Sequence, residues 1–192
     1  MDMPEFWHRE GRLSLNKTIV MGILNVTPDS FSDGGRYISP EKALERAIQI
    51  QEQGAGILDI GAQSTRPGHV PVSPEEEKTR LLPVLRLLKG RIHIPISVDT
   101  FYPAVAEVAI QEGVSILNDV SGHLDNGMME LAAGAGAGLI LMHAGDGADD
   151  TGDAKAGIGY LRCFRKTIFW SNVGRNTALR PARGTGCVNI RI

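Results

Sequence analysis

Cysteine is scarce in this sequence of 192 residues, which contains only Cys163 and Cys187. These two cysteines match no zinc-ligand spacing and form no convincing disulfide framework. No apolar run approaches the roughly 18 residues that a membrane-spanning helix needs. The N-terminal residues also lack the basic and then apolar order of a signal peptide. Together these absences argue against a secreted, disulfide-stapled or membrane protein, and we expect a cytoplasmic one.

Acidic residues are absent after Asp153. Residues 1–153 contain all 22 acidic residues and twelve of the 20 basic ones, a net charge of −10, whereas residues 154–192 contain eight basic residues and no acidic one, a net charge of +8. Such a division is typical of a basic arm for nucleic acids or membranes, or of two stretches of different coding origin. Aromatic residues, on which bases could stack, form only one cluster in this tail, which disfavours the nucleic-acid arm.

The most informative stretch is residues 21–35. It begins with a near-continuous apolar run that ends at Asn25 and leads into a loop rich in Asp, Ser and Gly. Continuous apolar runs are typical of parallel strands that are covered on both faces. Ligands in α/β folds gather at the carboxyl ends of such strands, so this loop is a candidate site. The alternative is a solvated loop whose polar side chains only stabilise a turn.

The order of strand, polar loop and helix recurs along the chain. The pattern predicts strands at residues 20–26, 56–61, 94–98, 115–117 and 139–142, and helices that begin near residues 39, 73, 103 and 127. Pro83 is expected to kink the second helix or to delay its regular start. A small hairpin from residues 6–8 and 13–15 is expected to plug one end of the fold. Five alternating units predict an α/β fold with a parallel sheet.

A polar residue ends each predicted strand, or follows it closely. Taken singly, each is more often a loop residue than a ligand. Five in phase on successive strands indicate one face of a (β/α) barrel that builds a single pocket. These residues are Asn25, Asp59 with Thr65 and Arg66 beyond it, Asp99, Asn118 and His143.

Four motifs carry a resemblance to the dihydropteroate synthases, a family of pterin-binding enzymes. Residues 21–35, MGILNVTPDSFSDGG, are similar to the first signature of that family, and residues 59–68, DIGAQSTRPG, to the second. Residues 97–100 and 117–122 resemble its third and fourth strand ends. The resemblance covers about residues 6–144. It implies a TIM-barrel-type (β/α) fold that is incomplete, with about five of eight βα units. Gln63 stands where the family often has Glu.

The resemblance implies a transferase of folate biosynthesis. Such an enzyme condenses p-aminobenzoate with 6-hydroxymethyl-7,8-dihydropterin pyrophosphate, and it releases 7,8-dihydropteroate and pyrophosphate. By position, Asn25 would help to hold Mg²⁺ and the pyrophosphate, which suits the preference of Mg²⁺ for oxygen ligands. Thr65 would contact the diphosphate, and Arg66 would bind phosphate or carboxylate. Asp99 and Asn118 would bind the pterin. The loops at residues 27–35 and 64–68 would close over the p-aminobenzoate side.

The resemblance also bears on partners. It implies small-molecule substrates, with neither nucleic acid nor membrane as a partner. Complete members of the family are homodimers through late helices that this chain does not match. Three functional hypotheses therefore stay open: an active synthase, an inactive truncated homologue that keeps part of the pocket, and a pterin-binding module of the methyltransferase type.

We predict a partial (β/α) barrel domain over residues 1–144 and an irregular basic tail over residues 145–192 that is not a domain of its own. The later strands of the family supply an Asp and a Lys for the pterin and an Arg-x-His pair for the anion, and nothing after Met142 matches those motifs. A change of reading frame near Gly145 would explain the charge division and the loss of motifs together. We favour it over a natural basic arm.

Overall fold

The computed structural model describes residues 5–27, 39–63, 72–121 and 127–143, and also residues 166–170 and 190–191. Residues 142–143, 166–170 and 190–191 are described by their backbone alone. The chain begins with the strands β1 (Glu5–His8) and β2 (Gly11–Ser14), which pair in antiparallel orientation. This pairing confirms the predicted hairpin.

Five parallel strands form the centre of the fold. They lie side by side in chain order and confirm the predicted parallel sheet. The strands are β3 (Ile19–Asn25), β4 (Ile57–Gly61), β5 (Ile96–Asp99), β6 (Ile116–Asp119) and β7 (Gly138–His143). At one edge β8 (Lys166–Trp170) pairs with β7 in antiparallel orientation, and at the other β9 (Ile190–Arg191) pairs with the start of β3 in parallel.

Four helices connect the central strands. They are α1 (Pro40–Glu52), α2 (Pro74–Leu88), α3 (Pro103–Gln111) and α4 (Met128–Ala135). The first three begin with proline, whose fixed φ suits the first helical position. The Ser73 side chain accepts a hydrogen bond from the Glu76 backbone N–H at 3.2 Å, so the predicted N-cap forms. Helix α2 runs without interruption through Pro83, so the predicted delay in its regular start does not occur.

The two faces of the sheet bury different sets of residues, because alternate side chains of a strand point to opposite sides. One face packs against the helices, and its strand residues include Leu24, Leu58, Val98, Leu117 and Leu139. The opposite, inner face has a smaller apolar cluster of Met21, Ile57, Ile116 and Ile140 together with Phe6 from the hairpin. The hairpin therefore covers the inner face at the amino ends of the strands, as expected.

Gly138 makes the close approach of the hairpin possible. A Cβ atom added there would lie 2.7 Å from the Phe6 ring and 2.9 Å from the Trp7 carbonyl oxygen. Both distances are too short for real atoms, so a side chain at this position would displace the hairpin from β7.

Within the part of the chain that the structure describes, no helix has the length and apolar character to cross a membrane.

Candidate active site

Four residues form one row across four neighbouring strands at their carboxyl ends. The register aligns Asn25 of β3 with Gly61 of β4, Gly61 with Asp99 of β5, and Asp99 with Asn118 of β6. Asn25 shares a face with Met21, four residues before it, so this row lies on the inner face above the apolar cluster. The structure thus brings together three of the residues that the sequence singled out: Asn25, Asp99 and Asn118.

Gly61 leaves a gap between two of these side chains. A Cβ atom at this position would lie 3.4 Å from Asn25 Oδ1 and 3.6 Å from Asp99 Oδ2. A larger side chain would therefore fill the space that separates the amide from the carboxylate. The absence of a side chain here leaves the space between the two oxygen atoms open.

Asp59 lies one row deeper in the sheet. It is aligned with Ile23 on one side and Ser97 on the other, and it is only 3% exposed. The Asn118 side chain donates a hydrogen bond from Nδ2 to Asp59 Oδ2 at 3.0 Å. Burial raises the pKa of Asp59, and the nearby side chains of Ser97 and Asn118 oppose that rise. Asp59 thus lies beneath the row and contacts it through the hydrogen bond from Asn118.

Asp99 is the acid of this row, and its pKa is strongly perturbed. Burial raises its pKa well above the ordinary value, and the negative charges of Asp59, Glu77 and Asp119 raise that pKa further. Its Oδ1 atom is buried and has no hydrogen-bond partner among the described residues. A buried acceptor of this kind is costly unless a donor satisfies it. The site is therefore suited to a ligand that presents N–H groups.

Side chains of helix α2 form hydrogen bonds with the residues that follow β4. Gln63 donates from Nε2 to the buried carboxylate of Glu77 at 3.2 Å, and Arg80 Nη1 donates to the Ala62 carbonyl at 3.2 Å. Burial raises the pKa of Glu77 to about 7, against the opposing effects of the Thr100 hydroxyl and the Arg80 charge. These contacts hold the last two residues that the structure describes before residue 64.

Several predicted site residues lie outside the described residues. They include Thr65 and Arg66, together with most of the loop at residues 27–35 and the whole loop at 64–68. Only the backbone of His143 is described. The binding roles of Thr65 and Arg66 therefore stay predictions.

Oxygen donors for a magnesium ion are few in this region. Asn25 offers one amide oxygen, and Asp99 offers a carboxylate across the gap at Gly61. Among residues 5–27, 39–63, 72–121 and 127–143 there is no group of three or more His, Cys, Asp or Glu side chains that could hold a metal ion. Mg²⁺ commonly takes one or two protein ligands and completes its shell with water and substrate phosphates. The donors present fit that sparse mode of binding.

Sequence reasoning did not assign roles to Asp59 or Glu77. A signal existed for each of them. Asp59 interrupts a strand that is otherwise apolar, which marks an inward-facing carboxylate. Glu77 lies four residues before the core residue Leu81, and therefore on the same face of α2.

Comparison with known proteins gives one family and several close relatives. The family model for the pterin-binding enzymes matches residues 21–168. Dihydropteroate synthase of Bacillus subtilis is 50% identical over 128 residues, which cover 66% of this chain and 45% of that protein. Dihydropteroate synthase of Xanthomonas albilineans, solved with 4-aminobenzoic acid, is 42% identical with a TM-score of 0.62, over 67% of this chain and 48% of the other. The same enzyme in complex with 7,8-dihydropteroate is 37% identical with a TM-score of 0.62, and the match covers 71% of this chain and 49% of the other.

The chain spans about half the length of these dihydropteroate synthases, from 45% to 49%. The family match over residues 21–168 contains the row of Asn25, Gly61, Asp99 and Asn118. The family match also extends beyond residue 144, where the motif resemblance in the sequence ends.

Proposed function

This chain belongs to the pterin-binding enzyme family, and we propose that its function is that of a dihydropteroate synthase. The reaction joins p-aminobenzoate to 6-hydroxymethyl-7,8-dihydropterin pyrophosphate and yields 7,8-dihydropteroate and pyrophosphate. The observation that supports this proposal most is the row of Asn25, Gly61, Asp99 and Asn118 at the carboxyl ends of four parallel strands. Solved relatives bind 4-aminobenzoic acid and 7,8-dihydropteroate.

Asp99 and Asn118 are proposed to bind the pterin. A pterin ring presents amino and N–H donors along one edge, and the unpaired, buried Oδ1 of Asp99 is an acceptor for such donors. Burial and the neighbouring charges of Asp59, Glu77 and Asp119 raise the pKa of Asp99, which makes its ionised form costly. Donors from a bound ring would favour the ionised form and form charge-assisted hydrogen bonds.

The pyrophosphate is proposed to lie above the β3 end of the row, where Asn25 is exposed. Asn25 Oδ1 would hold Mg²⁺ together with water and the diphosphate oxygens, and the ion would stabilise the charge that develops on the leaving pyrophosphate. Thr65 and Arg66 are proposed to complete the anion site, Thr65 through its hydroxyl and Arg66 through its planar guanidinium group.

We also propose that the protein is cytoplasmic.

A second candidate function has one specific observation in its favour. The chain spans less than half of the synthases described above. An inactive homologue would keep the row of Asn25, Gly61, Asp99 and Asn118 and bind a pterin weakly, but it would catalyse no condensation. Complete relatives are expected to be homodimers.

One experiment separates these candidates. The purified chain is incubated with Mg²⁺, p-aminobenzoate and 6-hydroxymethyl-7,8-dihydropterin pyrophosphate, and release of pyrophosphate is measured. A synthase requires both substrates for release, and Asp99→Ala should abolish it. Binding of 6-hydroxymethylpterin without any release would favour the inactive homologue. Absence of both would refute the pterin-site proposal.

A further inference from the structure

The buried pair of Asp59 and Asn118 has a directional hydrogen bond. Asn118 donates through Nδ2 to Asp59 Oδ2 at 3.0 Å, across the two strands β4 and β6 that flank β5. The two side chains are 3% and 7% exposed, so water does not compete freely for either group. The bond joins the deeper row of the inner face to the row that forms the candidate site.

An ionised carboxylate fixes the direction of this bond. It has no proton to donate, so only the nitrogen of an amide can point toward it. The opposite orientation would place the amide oxygen of Asn118 against the Asp59 oxygen, with two acceptors facing each other in a buried site. Asp59 therefore selects one of the two possible orientations of the Asn118 amide.

The selected orientation determines what Asn118 offers to a ligand. One N–H of its nitrogen is directed toward Asp59, so the oxygen is the branch on the side away from Asp59. Asp99 contributes a second acceptor in the same row, with its buried and unpaired Oδ1. Two neighbouring acceptors match a ring edge that carries two donors. An isolated Asn118 would accept or donate equally well.

We propose that Asp59 is a positioning residue that orients the Asn118 amide so that its oxygen, and not its nitrogen, binds the pterin ring. This inference rests on the proposed function for its ligand but not for the orientation itself. Asp59 is too deeply buried to touch the ligand in this arrangement and acts through Asn118.

A reciprocal exchange of the two residues tests the proposal. Asp59→Asn keeps the size of the side chain and a hydrogen bond but no longer dictates its direction. Asn118→Asp alone places two carboxyl groups together. In the double variant Asp59→Asn/Asn118→Asp, the amide introduced on β4 donates to the carboxylate introduced on β6, whose second oxygen again faces the site as an acceptor. Ile57→Val, on the same strand and inner face as Asp59, is the control for mild loss of packing.

Binding of 6-hydroxymethylpterin is measured by fluorescence titration for each variant. We expect Asp59→Asn to weaken binding about tenfold, the equivalent of one hydrogen bond, and Ile57→Val to leave it unchanged. Asn118→Asp should weaken binding more, and the double variant should recover to within about threefold of the original affinity. Unchanged binding in Asp59→Asn, or a folded double variant without recovery, would overturn the proposal.

Nuclear magnetic resonance of the free protein tests the orientation without a ligand. One side-chain Nδ2 proton of Asn118 should be shifted and protected from exchange in the original chain. In Asp59→Asn that shift and protection should decrease, while Ile57→Val should keep both. The proposal would be contradicted if both Asn118 side-chain amide protons had ordinary chemical shifts and if those shifts did not change in Asp59→Asn. If the original chain failed to bind pterin, the proposed function would fail, and this measurement would still decide the orientation.

Discussion

At the scale of single residues, three largely buried acids near the carboxyl ends of the strands have perturbed pKa values. Asp59, Asp99 and Glu77 all have raised pKa values, with burial as the largest cause in each case. Perturbed acids of this kind cluster at functional sites, although structural networks also produce them. Each of the three has a buried oxygen without a hydrogen-bond partner among the described residues, but Asp59 and Glu77 accept an amide hydrogen bond through their other oxygen.

The raised pKa of Asp99 predicts pH-dependent binding of a pterin. The ionised carboxyl accepts through both oxygens and has no O–H donor of its own, so affinity should rise as pH increases above the ordinary range of an aspartate and the group loses its proton. Asp99→Asn should weaken binding by roughly 10- to 100-fold, since a hydrogen bond to a charged group contributes about 1.5–3 kcal/mol. The variant should also lose most of the pH dependence. Equilibrium dialysis at several pH values checks both points, and an equal slope in both proteins would contradict them.

Glu77 predicts a pH dependence of folding stability. Its pKa is raised from 4.5 to about 7 in the folded chain, so the folded state binds the proton more tightly than the unfolded state. The free energy of unfolding should therefore fall as pH rises from about 4.5 through 7, by at most about 3 kcal/mol and by less where solvent screens the charge. This contribution is fully present below pH 4.5 and lost above pH 7.

Glu77→Gln should remove that slope, because the amide does not ionise and still offers an acceptor to Gln63. Glu75→Gln is the matched control, since Glu75 lies in the same helical turn with a side chain that is 81% exposed. Urea unfolding followed by circular dichroism, at one pH below this range and one above it, measures the difference. A slope that persists in Glu77→Gln would show that another group is responsible.

At the scale of elements, small residues set how closely the layers approach. A Cβ atom at Gly22 would lie 2.2 Å from Ile50 Cγ2, so β3 needs glycine where α1 packs onto it. The hairpin β1–β2 depends on Gly138 in the same way. Helix α2 has the opposite role, because its Glu77 and Arg80 side chains reach the end of β4 and hold it.

Gly22→Ala should destabilise the fold by roughly 1–3 kcal/mol, the usual cost of overpacking a core. Gly134→Ala provides the contrast. Gly134 lies inside α4, and nothing lies within 4 Å of its added Cβ, so alanine should stabilise the chain by about 0.5–1 kcal/mol. Urea unfolding of both variants gives the two values. Equal effects would mean that helix α1 moves away from β3 at little cost.

At the scale of the whole molecule, strand β3 leaves apolar surface open to solvent. Val20 and Ile23 are 46% and 42% exposed on its two faces. In the family barrel the matching strand is expected to be covered on both faces, as the continuous apolar run of residues 19–24 suggests. Exposed apolar surface on a strand near a sheet edge promotes association between molecules.

We therefore expect the purified chain to self-associate as its concentration rises. Val20→Lys should reduce this association, because a charge on such a strand opposes pairing. Trp7→Lys is the control, since Trp7 is 43% exposed but belongs to the hairpin and not to the central sheet. Sedimentation velocity over a range of concentrations measures the effect. A monomer at all concentrations, or an equal effect of both substitutions, would refute the role of β3.

The sequence by itself determined the order of elements from β1 to β7, but not the strands β8 and β9. Local signals fix this order: the apolar run of residues 19–24, proline in the first turn of three helices, and glycine after most of them. The same signals placed Asn25, Asp99 and Asn118 at strand ends, because polar residues interrupt the apolar pattern there. Pro83 does not delay the start of α2, whose residues Leu81, Val84 and Leu85 pack against the core on either side of it.

Only the tertiary structure decided which side chains meet. The bond between Asn118 and Asp59 joins residues 59 positions apart, and it depends on the register of three neighbouring strands. Glu77 and Gln63 meet because α2 packs over the end of β4, which no local pattern specifies. The raised pKa of Asp99 has the same origin, because burial and the charges of distant residues arise only when the sheet is assembled. Periodicity determines the face on which a side chain lies, whereas long-range packing determines its partner.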